Sequence, residues 1–185
     1  MSTTEGIHKP LGRYIFNNVN FGKHDPLLDR LREANYKVIP NPTDPEGVLV
    51  TFPVAWDDID FDVINGMEVN IDSAVKQLET YKLLQNNWTQ QNTSVTISYS
   101  PDEVESVISW LLENWDLYVG VSFIYRTDPT KSAKDLGYLY LPQEVVTKST
   151  YDEYVSTLLP IDMSNTNSFD EILDAECAGG VCPVK

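Results

Sequence analysis

Three segments between residues 95 and 125 decide the fold of this 185-residue chain: Val95–Tyr99 (VTISY), Ser100–Glu103 (SPDE) and Tyr118–Tyr125 (YVGVSFIY). The first is rich in β-branched and aromatic residues and predicts a strand. In the second, a serine N-cap, a proline at the first helical position and a glutamate three residues after the cap predict a helix start. The third is nearly all apolar and predicts another strand. Strand, helix and strand within about 30 residues are typical of a βαβ unit in a parallel sheet, so we expect an α/β fold.

Apolar residues at helical spacing predict two longer helices. The helix after Ser100–Glu103 has one apolar face, formed by Val104, Val107, Ile108, Leu111 and Trp115. An earlier helix should begin with a cap at Asp72 and end near Trp88, and its predicted buried face is Ile71, Val75, Leu78, Tyr81 and Leu84. Nearer the N-terminus, Asp25 and Pro26 predict the start of a short helix. Extended segments are predicted at Arg13–Phe16, Val19–Phe21, Tyr36–Ile39 and Val48–Phe52.

Composition and charge exclude several classes of protein. The hydrophobic share of 42% is sufficient for a packed core. The net charge of −15 argues against nucleic-acid binding, which needs a basic surface. Apolar runs such as Val48–Val50 are far shorter than the roughly 20 residues of a membrane span, and the N-terminus does not have the pattern of a signal peptide. We therefore expect a cytoplasmic protein without a membrane partner, and we interpret the sequons at Asn87 and Asn92 as chance matches.

The character of the chain changes after Pro160. Residues 1–160 are predicted to form one compact domain, and residues 161–185 a flexible tail with little core of its own. The tail ends in Glu176-Cys177-Ala178-Gly179-Gly180-Val181-Cys182-Pro183-Val184-Lys185. A flexible segment of about 20 residues spans roughly 25 Å, whereas a compact body of this size has a radius of gyration of about 16 Å. Such a tail can move between the surface and a pocket.

The only two cysteines of the chain, Cys177 and Cys182, allow several interpretations. Gly179-Gly180 permits the tight turn that a disulfide would need, but closing so small a loop constrains the unfolded chain by only about 2 kcal/mol. A zinc site needs four ligands, and the two histidines, His8 and His24, lie far upstream. A structural bridge, a zinc site and unrelated free thiols remain alternatives. We favour a dithiol/disulfide pair that transfers electrons by thiol–disulfide exchange.

An acidic run is the other candidate for a binding site. The segment 57–62 contains four aspartates. It lacks the glycine and the terminal glutamate of an EF-hand loop. We therefore expect a solvated loop there and no metal site in this chain.

The cysteine motif and several other segments resemble ribonucleotide reductases. ECAGGVC at residues 176–182 is similar to their C-terminal Cys-x4-Cys tail, and the Gly-Gly and closing Cys-Pro-Val-Lys look most like the adenosylcobalamin-dependent class II enzymes, in particular the monomeric ribonucleoside-triphosphate reductases. Further matching segments follow in the family's order: EGIHKPLGRY at 5–14, LREANY at 31–36, VTFPV at 50–54, the βαβ unit at 94–126 and YLPQE at 140–144. The resemblance thus extends over nearly the whole chain.

The resemblance implies a fold, a reaction and a role for the tail. The family has a ten-stranded α/β barrel in which a thiyl radical abstracts the 3′ hydrogen of a ribonucleotide, and two other barrel cysteines supply the electrons that remove the 2′ hydroxyl. The tail cysteines re-reduce that pair, and a thioredoxin-like reductant re-reduces the tail. Only the tail roles carry over to this chain, onto Cys177 and Cys182. Gly6 and His8 lie in a segment that flanks the substrate region, and the resemblance implies that they are close to the substrate.

Departures from the family pattern limit what this chain can do. It has no third cysteine, and the phosphate loop of the family would precede Met1. We therefore expect a C-terminal subunit or fragment that is inactive alone and completes the barrel of an N-terminal portion on a separate chain. That portion would hold most of the adenosylcobalamin, and ribonucleoside triphosphate would bind the assembled enzyme. Met1 directly before the matched segment favours a separately encoded polypeptide over a truncated one.

Two other interpretations remain open. One is a non-catalytic module that binds thioredoxin or another protein. The other is a fragment of a class I reductase, although the segments 6–13 and 31–36 look less like that class. If the chain is part of a barrel, it should expose unpaired strand groups and apolar side chains.

Overall fold

A computed structural model describes residues 7–161 of the chain. The helices and strands of this range are, in order, β1 (Tyr14–Gly22), α1 (Leu27–Glu33), β2 (Val38–Pro40), β3 (Gly47–Ala55), β4 (Asp62–Ile64), β5 (Met67–Val69), α2 (Ala74–Asn87), β6 (Thr96–Tyr99), α3 (Val104–Glu113), β7 (Ser122–Tyr125), β8 (Gln143–Val145) and α4 (Lys148–Thr157). A short 3-10 turn, Pro101–Glu103, precedes α3. The α/β character predicted from the sequence is confirmed.

The first half of the fold is an antiparallel sheet with strand order β2-β3-β1-β8. Its central strand β1 is continuous, whereas the sequence predicted two short extended segments interrupted by asparagines. The interruption does not occur because the side chain of Asn18 bonds across the sheet. Its Nδ2 donates to the carbonyl of Leu141 at 2.8 Å, and its Oδ1 accepts from the Thr51 hydroxyl at 2.7 Å. Cross-strand bonds of this kind satisfy a polar residue inside a sheet.

Helices cover both faces of this sheet. Leu28 and Leu31 of α1 are buried in one cluster with Val48 and Val50 of β3. On α4, the Tyr154 hydroxyl donates to the carbonyl of Thr51 at 2.8 Å, and its ring lies 5.0 Å from that of Phe16 between centroids. Phe16 pairs with Pro53, which lies three residues after Val50 in β3. Because consecutive side chains of a strand point to opposite faces, Phe16 and Val50 lie on opposite faces of the sheet. The sheet is therefore the middle layer between α1 and α4.

The second half contains the predicted βαβ unit. Strands β6 and β7 are parallel, in a register from Thr96↔Ser122 to Tyr99↔Tyr125. The capping box is present, and its glutamate, Glu103, accepts from the backbone N–H of Ser100 at 2.8 Å. Helices α2 and α3 form one buried core with β6. The second strand, β7, begins at Ser122 and is therefore shorter than the predicted segment Tyr118–Tyr125.

Two details of the helix predictions are wrong. Helix α2 is capped by Ser73, whose Oγ accepts from the Lys76 N–H, and not by Asp72. On α3 the buried residues are Val107 and Trp110, whereas Ile108 and Trp115 of the predicted apolar face are 51% and 68% exposed. Helix α3 packs against α2 with the side that carries Trp110, and this turns the predicted face partly toward solvent.

The strands of residues 7–161 lie in three separate sheets, including the small hairpin β4–β5. Within this range they do not form a closed barrel, so the ten-stranded architecture is not confirmed. None of the helices in the described range is both long and apolar enough to cross a membrane. Of the predicted tail, only Ile161 is described, and it packs against the cluster of Leu28 and Leu31.

Candidate functional site

Two neighbouring clefts lie between the antiparallel sheet and the βαβ unit. The larger, of about 620 Å³, is bordered among others by His8, Lys9, Trp56, Asn70, Asp72 and Gln77. The smaller, of about 340 Å³, lies at the carboxyl ends of β6 and β7 and is bordered among others by Ser98, Ile124, Arg126, Lys131 and Glu144. Asn70 and Asp72 border both clefts. The loop between β5 and α2 therefore separates the two.

Asn70 fixes this loop to the N-terminal segment. Its backbone N–H donates to the carbonyl of Leu11 at 2.7 Å, and its side-chain Nδ2 donates to the carbonyl of Lys9 at 3.1 Å. Its Oδ1 accepts from the backbone N–H of Asp72 at 2.9 Å. One asparagine thus sets the position of residues 9–11 relative to the start of α2.

Asp72 is the acidic group common to both clefts. Its carboxylate lies 3.6 Å from the ammonium of Lys9 and 2.8 Å from that of Lys76. The hydrogen bond from Lys76 to Asp72, with the attraction between the two charges, raises the pKa of Lys76. Because two lysine ammonium groups lie close to it, the negative charge of the Asp72 carboxylate is compensated within this chain.

His8, which the resemblance implied to be close to the substrate, borders the larger cleft. Its Nε2 accepts from the backbone N–H of Thr96 at 3.5 Å, on the outer edge of β6. Trp56 borders the same cleft, and its indole Nε1 is buried without a hydrogen-bond partner among the described residues. An indole N–H can only donate, and this one is enclosed by the protein and not presented to the cleft.

A buried ion pair organises the carboxyl ends of β6 and β7. Arg126 directly follows β7, and its Nη2 donates to the carbonyl of Ser98 at 2.8 Å and lies 3.0 Å from Glu103 Oε2. The other oxygen of Glu103 accepts from the backbone N–H of Ala74, the first residue of α2, at 2.8 Å. Glu103 therefore joins the starts of α2 and α3 to the end of β7. The sequence indicated its capping role but not these partners, which lie 23 to 29 residues away.

The rim of the smaller cleft carries both signs of charge. Asp128 accepts from the Thr130 hydroxyl at 2.7 Å and from the Thr130 N–H at 2.9 Å, and these bonds lower its pKa. The side chains that border this cleft include the carboxylates of Asp72, Asp128 and Glu144 and the cations of Arg126 and Lys131. Such a rim does not select anions. Its position fits the general rule that ligands of α/β sheets bind at the carboxyl ends of parallel strands.

Three of the predicted site residues belong to parts of the chain beyond those that the structure describes. Cys177, Cys182 and Gly6 lie outside residues 7–161, so the redox pair stays a prediction. Among the described residues, no group of three or more His, Cys, Asp or Glu side chains is arranged to hold a metal ion. The acidic residues from Asp57 to Asp62 form no such group.

The fold and clefts define an α/β protein with a candidate ligand site beside a parallel strand pair. No protein-family model matches the chain. A solved structure described as a B-12 dependent (class II) ribonucleotide reductase superposes with a TM-score of 0.70 at 23% identity, covering 89% of this chain and 22% of that one. The fold of the described chain is therefore similar to that of about a fifth of this solved structure.

Curated relatives point to the same group of enzymes. The adenosylcobalamin-dependent ribonucleoside-triphosphate reductase of Lactobacillus gasseri is 26% identical over 190 residues, which cover 98% of this chain and 24% of that protein. The enzyme of the same description from Lactobacillus leichmannii is 27% identical over 197 residues, again covering 98% and 24%. The resemblance seen in the sequence motifs is thus confirmed over nearly the whole chain. The chain spans about a quarter of the length of these relatives.

Proposed function

We propose that this chain is the C-terminal subunit or fragment of an adenosylcobalamin-dependent ribonucleoside-triphosphate reductase. The observation that carries the proposal is the similarity to enzymes of that description over 98% of the chain. In the assembled enzyme β6 and β7 are strands of a ten-stranded α/β barrel. The N-terminal portion of the reductase supplies the rest of the barrel and acts with this chain on ribonucleoside triphosphates.

Exposed apolar residues on the βαβ unit support the need for a partner. Ile124 and Tyr125 of β7 are 57% and 60% exposed, and Leu112 of α3 is 68% exposed. Strands of parallel sheets are normally covered on both faces. Large apolar residues left open at such a sheet indicate a surface that another polypeptide covers.

The dithiol tail carries the redox part of the proposal. In each cycle the two thiols of Cys177 and Cys182 are oxidised to a disulfide, and the disulfide of the barrel cysteines takes up the two electrons and two protons. A thioredoxin-like dithiol then reduces the tail by the same exchange. Cys177 lies 16 residues beyond Ile161, so an extended chain would let it reach up to about 55 Å from that residue.

The N-terminal portion is assigned most of the cofactor site. Adenosylcobalamin supplies the radical that starts the reaction in the enzymes named after it. We assign none of residues 7–161 to the cofactor. Gly6 and His8 remain candidates for positions close to the substrate.

Reconstitution tests the proposal. The isolated chain is titrated into the polypeptide that carries the preceding part of the reductase in the same organism, with adenosylcobalamin, a ribonucleoside triphosphate and thioredoxin. We expect deoxynucleotide formation that saturates with the chain and is absent from either polypeptide alone. No gain on mixing would rule out the proposal. If thioredoxin still reduced a tail disulfide in that case, the non-catalytic thioredoxin-binding module would be favoured instead.

A further inference from the structure

The residues that border the smaller cleft are of two kinds. Large apolar side chains make up one kind: Leu11, Ile124, Leu136, Leu141 and Val145. Two of them are open to solvent, since Leu11 is 43% and Ile124 is 57% exposed. Charged side chains of both signs make up the other kind. A cleft of this composition fits an occupant that combines apolar side chains with charges of both signs.

The charges at this cleft differ in how far other groups already engage them. Arg126 is held by Glu103 at 3.0 Å and by the carbonyl of Ser98 at 2.8 Å. Asp128 and Lys131 are exposed on the loop after β7, and the backbone N–H of Lys131 donates to the carbonyl of Asp128 at 3.2 Å. This bond closes a turn. An exposed carboxylate and an exposed lysine therefore belong to one turn beside the cleft.

The last part of the tail has the matching composition. In residues 176–185 the charged side chains are Glu176 and Lys185, one of each sign, and the eight residues between them are small or apolar. Residues 162–175 differ, because they carry four carboxylates and no cation. Gly179-Gly180 permits a tight turn between the two charges. The segment 176–185 thus suits a loop of apolar residues whose charged ends lie close together.

We propose that the smaller cleft is the docking site of residues 176–185, the segment that carries both cysteines. This inference rests on the proposed function and names the surface that the tail occupies when it exchanges electrons with the barrel. The apolar residues of the segment lie against those of the cleft. Glu176 at the start of the segment pairs with Lys131. Lys185 at its other end pairs with Asp128.

Docking in this form places the two cysteines close together. Because Asp128 and Lys131 belong to one turn, pairing with both brings the two ends of the segment together. Cys177 and Cys182 then approach the Cα separation of about 4.4–6.8 Å that a disulfide needs. The docked tail presents its two thiols at the carboxyl ends of β6 and β7, where α/β sheets bind their ligands.

The chain is long enough to reach this cleft from its last described residue. Glu176 lies 15 residues beyond Ile161, which corresponds to an extended length of up to about 50 Å. A compact body of this size has a radius of gyration of about 16 Å, so the cleft lies within reach of the same chain. The larger cleft is bordered by His8, a candidate for a position close to the substrate. The smaller cleft is therefore the one left for the tail.

Disulfide trapping in the isolated chain tests the docking site. With Cys177→Ser, Cys182 is the remaining native thiol, and a second cysteine is introduced at the surface. Ile124→Cys places it beside the smaller cleft, and Leu83→Cys places it at a similarly exposed position of α2 that borders neither cleft. We expect the intramolecular disulfide to form more than about tenfold faster with Ile124→Cys, because docking raises the local thiol concentration. Equal rates, or faster trapping by Thr80→Cys at the larger cleft, would overturn the inference.

A charge exchange in the reconstituted enzyme provides a second readout. Lys131→Glu places two carboxylates opposite each other, and we expect the thioredoxin-dependent turnovers to slow by about fivefold relative to the first turnover of the reduced enzyme. Adding Glu176→Lys to the same chain should restore the original ratio. Lys134→Glu, in the same loop but not among the residues that border the cleft, is the control and should leave the ratio unchanged.

The outcomes of this exchange separate the docking site from the proposed function. A ratio that Lys131→Glu does not change, or that Glu176→Lys does not restore, would contradict the docking site while leaving the proposed function intact. No deoxynucleotide from the unmodified mixture would instead remove the proposed function, and disulfide trapping then decides the docking site by itself.

Discussion

Glu103 and Arg126 form an ion pair at 3.0 Å, and both side chains are more than four-fifths buried. The pair connects the start of α3 to the end of β7, and the second oxygen of Glu103 extends the connection to the first residue of α2. Three elements, α2, α3 and β7, are thus held together by one carboxylate. The βαβ unit depends on this carboxylate as well as on its apolar core.

Replacing Glu103 with glutamine should destabilise the isolated chain. The variant keeps one acceptor oxygen, but it loses the charge opposite Arg126 and an acceptor for Ala74 or Ser100. Hydrogen bonds to charged groups are worth about 1.5–3 kcal/mol, so we expect the free energy of unfolding to fall by about 2 kcal/mol. Urea denaturation measures it. Asp102→Asn is the control, because Asp102 is exposed in the same turn and should change the value by less than about 0.5 kcal/mol. Equal losses would show that Glu103 has no special role.

Removing the amide of Gln77 should weaken the connection between α2 and β6. In Gln77→Ala the N–H of Ser98 loses its acceptor. We expect its hydrogen exchange to accelerate by about tenfold or more, with a loss of about 1 kcal/mol in unfolding free energy. Exchange followed by NMR at Ser98 is the measurement, and Gln90→Ala, on the exposed loop after α2, is the matched control. Unchanged protection at Ser98 would mean that Gln77 does not bond to this amide.

Tyr154 should make the free energy of unfolding decrease at alkaline pH. Burial raises the pKa of Tyr154, and burial also raises that of Tyr151. In the unfolded chain these phenols ionise at about pH 10, whereas the folded chain retains their protons to higher pH. The free energy of unfolding is therefore constant below about pH 9 and falls as the pH rises above about 10. Urea denaturation across this range measures the fall.

The variant Tyr154→Phe separates the contributions of this residue. It should reduce the alkaline fall. At neutral pH it should cost about 1–2 kcal/mol, because the hydroxyl no longer donates to the Thr51 carbonyl or accepts from the Lys37 N–H. Tyr138→Phe, at an exposed tyrosine, should do neither. An alkaline profile identical in Tyr154→Phe and the unmodified chain would disprove the assignment.

Replacing either tail cysteine with serine should separate assembly from sustained turnover. We expect Cys177→Ser and Cys182→Ser to bind the N-terminal polypeptide normally and, starting from the reduced enzyme, to form roughly one deoxynucleotide per complex. Turnover with thioredoxin should then stop, because a single thiol cannot complete the exchange. Product formation over time, with and without a small dithiol that reduces the barrel cysteines directly, distinguishes this from a general loss of activity. Sustained thioredoxin-dependent turnover of both variants would exclude the redox role.

Local patterns determined several features of this protein without a structure. The strand–helix–strand unit of residues 96–125 and the capping box at Ser100 depend on residues close together in sequence, and both are confirmed. The resemblance to class II reductases was also carried by short motifs in a fixed order, which is why it could be recognised from the sequence.

The tertiary structure decided what depends on distant partners. The sequence did not place Trp110 in the core, where its indole N–H donates to Glu79 of α2 at 2.6 Å. Nor did it indicate that Gln77 bonds to the backbone of Ser98 in β6, because a glutamine on a helix gives no sign of which backbone lies beside it. Side-chain periodicity fixes which residues share a face, but only packing fixes which face is covered. Thus the sequence by itself determined the β6–α3–β7 unit and its family resemblance, while the folded chain alone decided which side of α3 packs against α2.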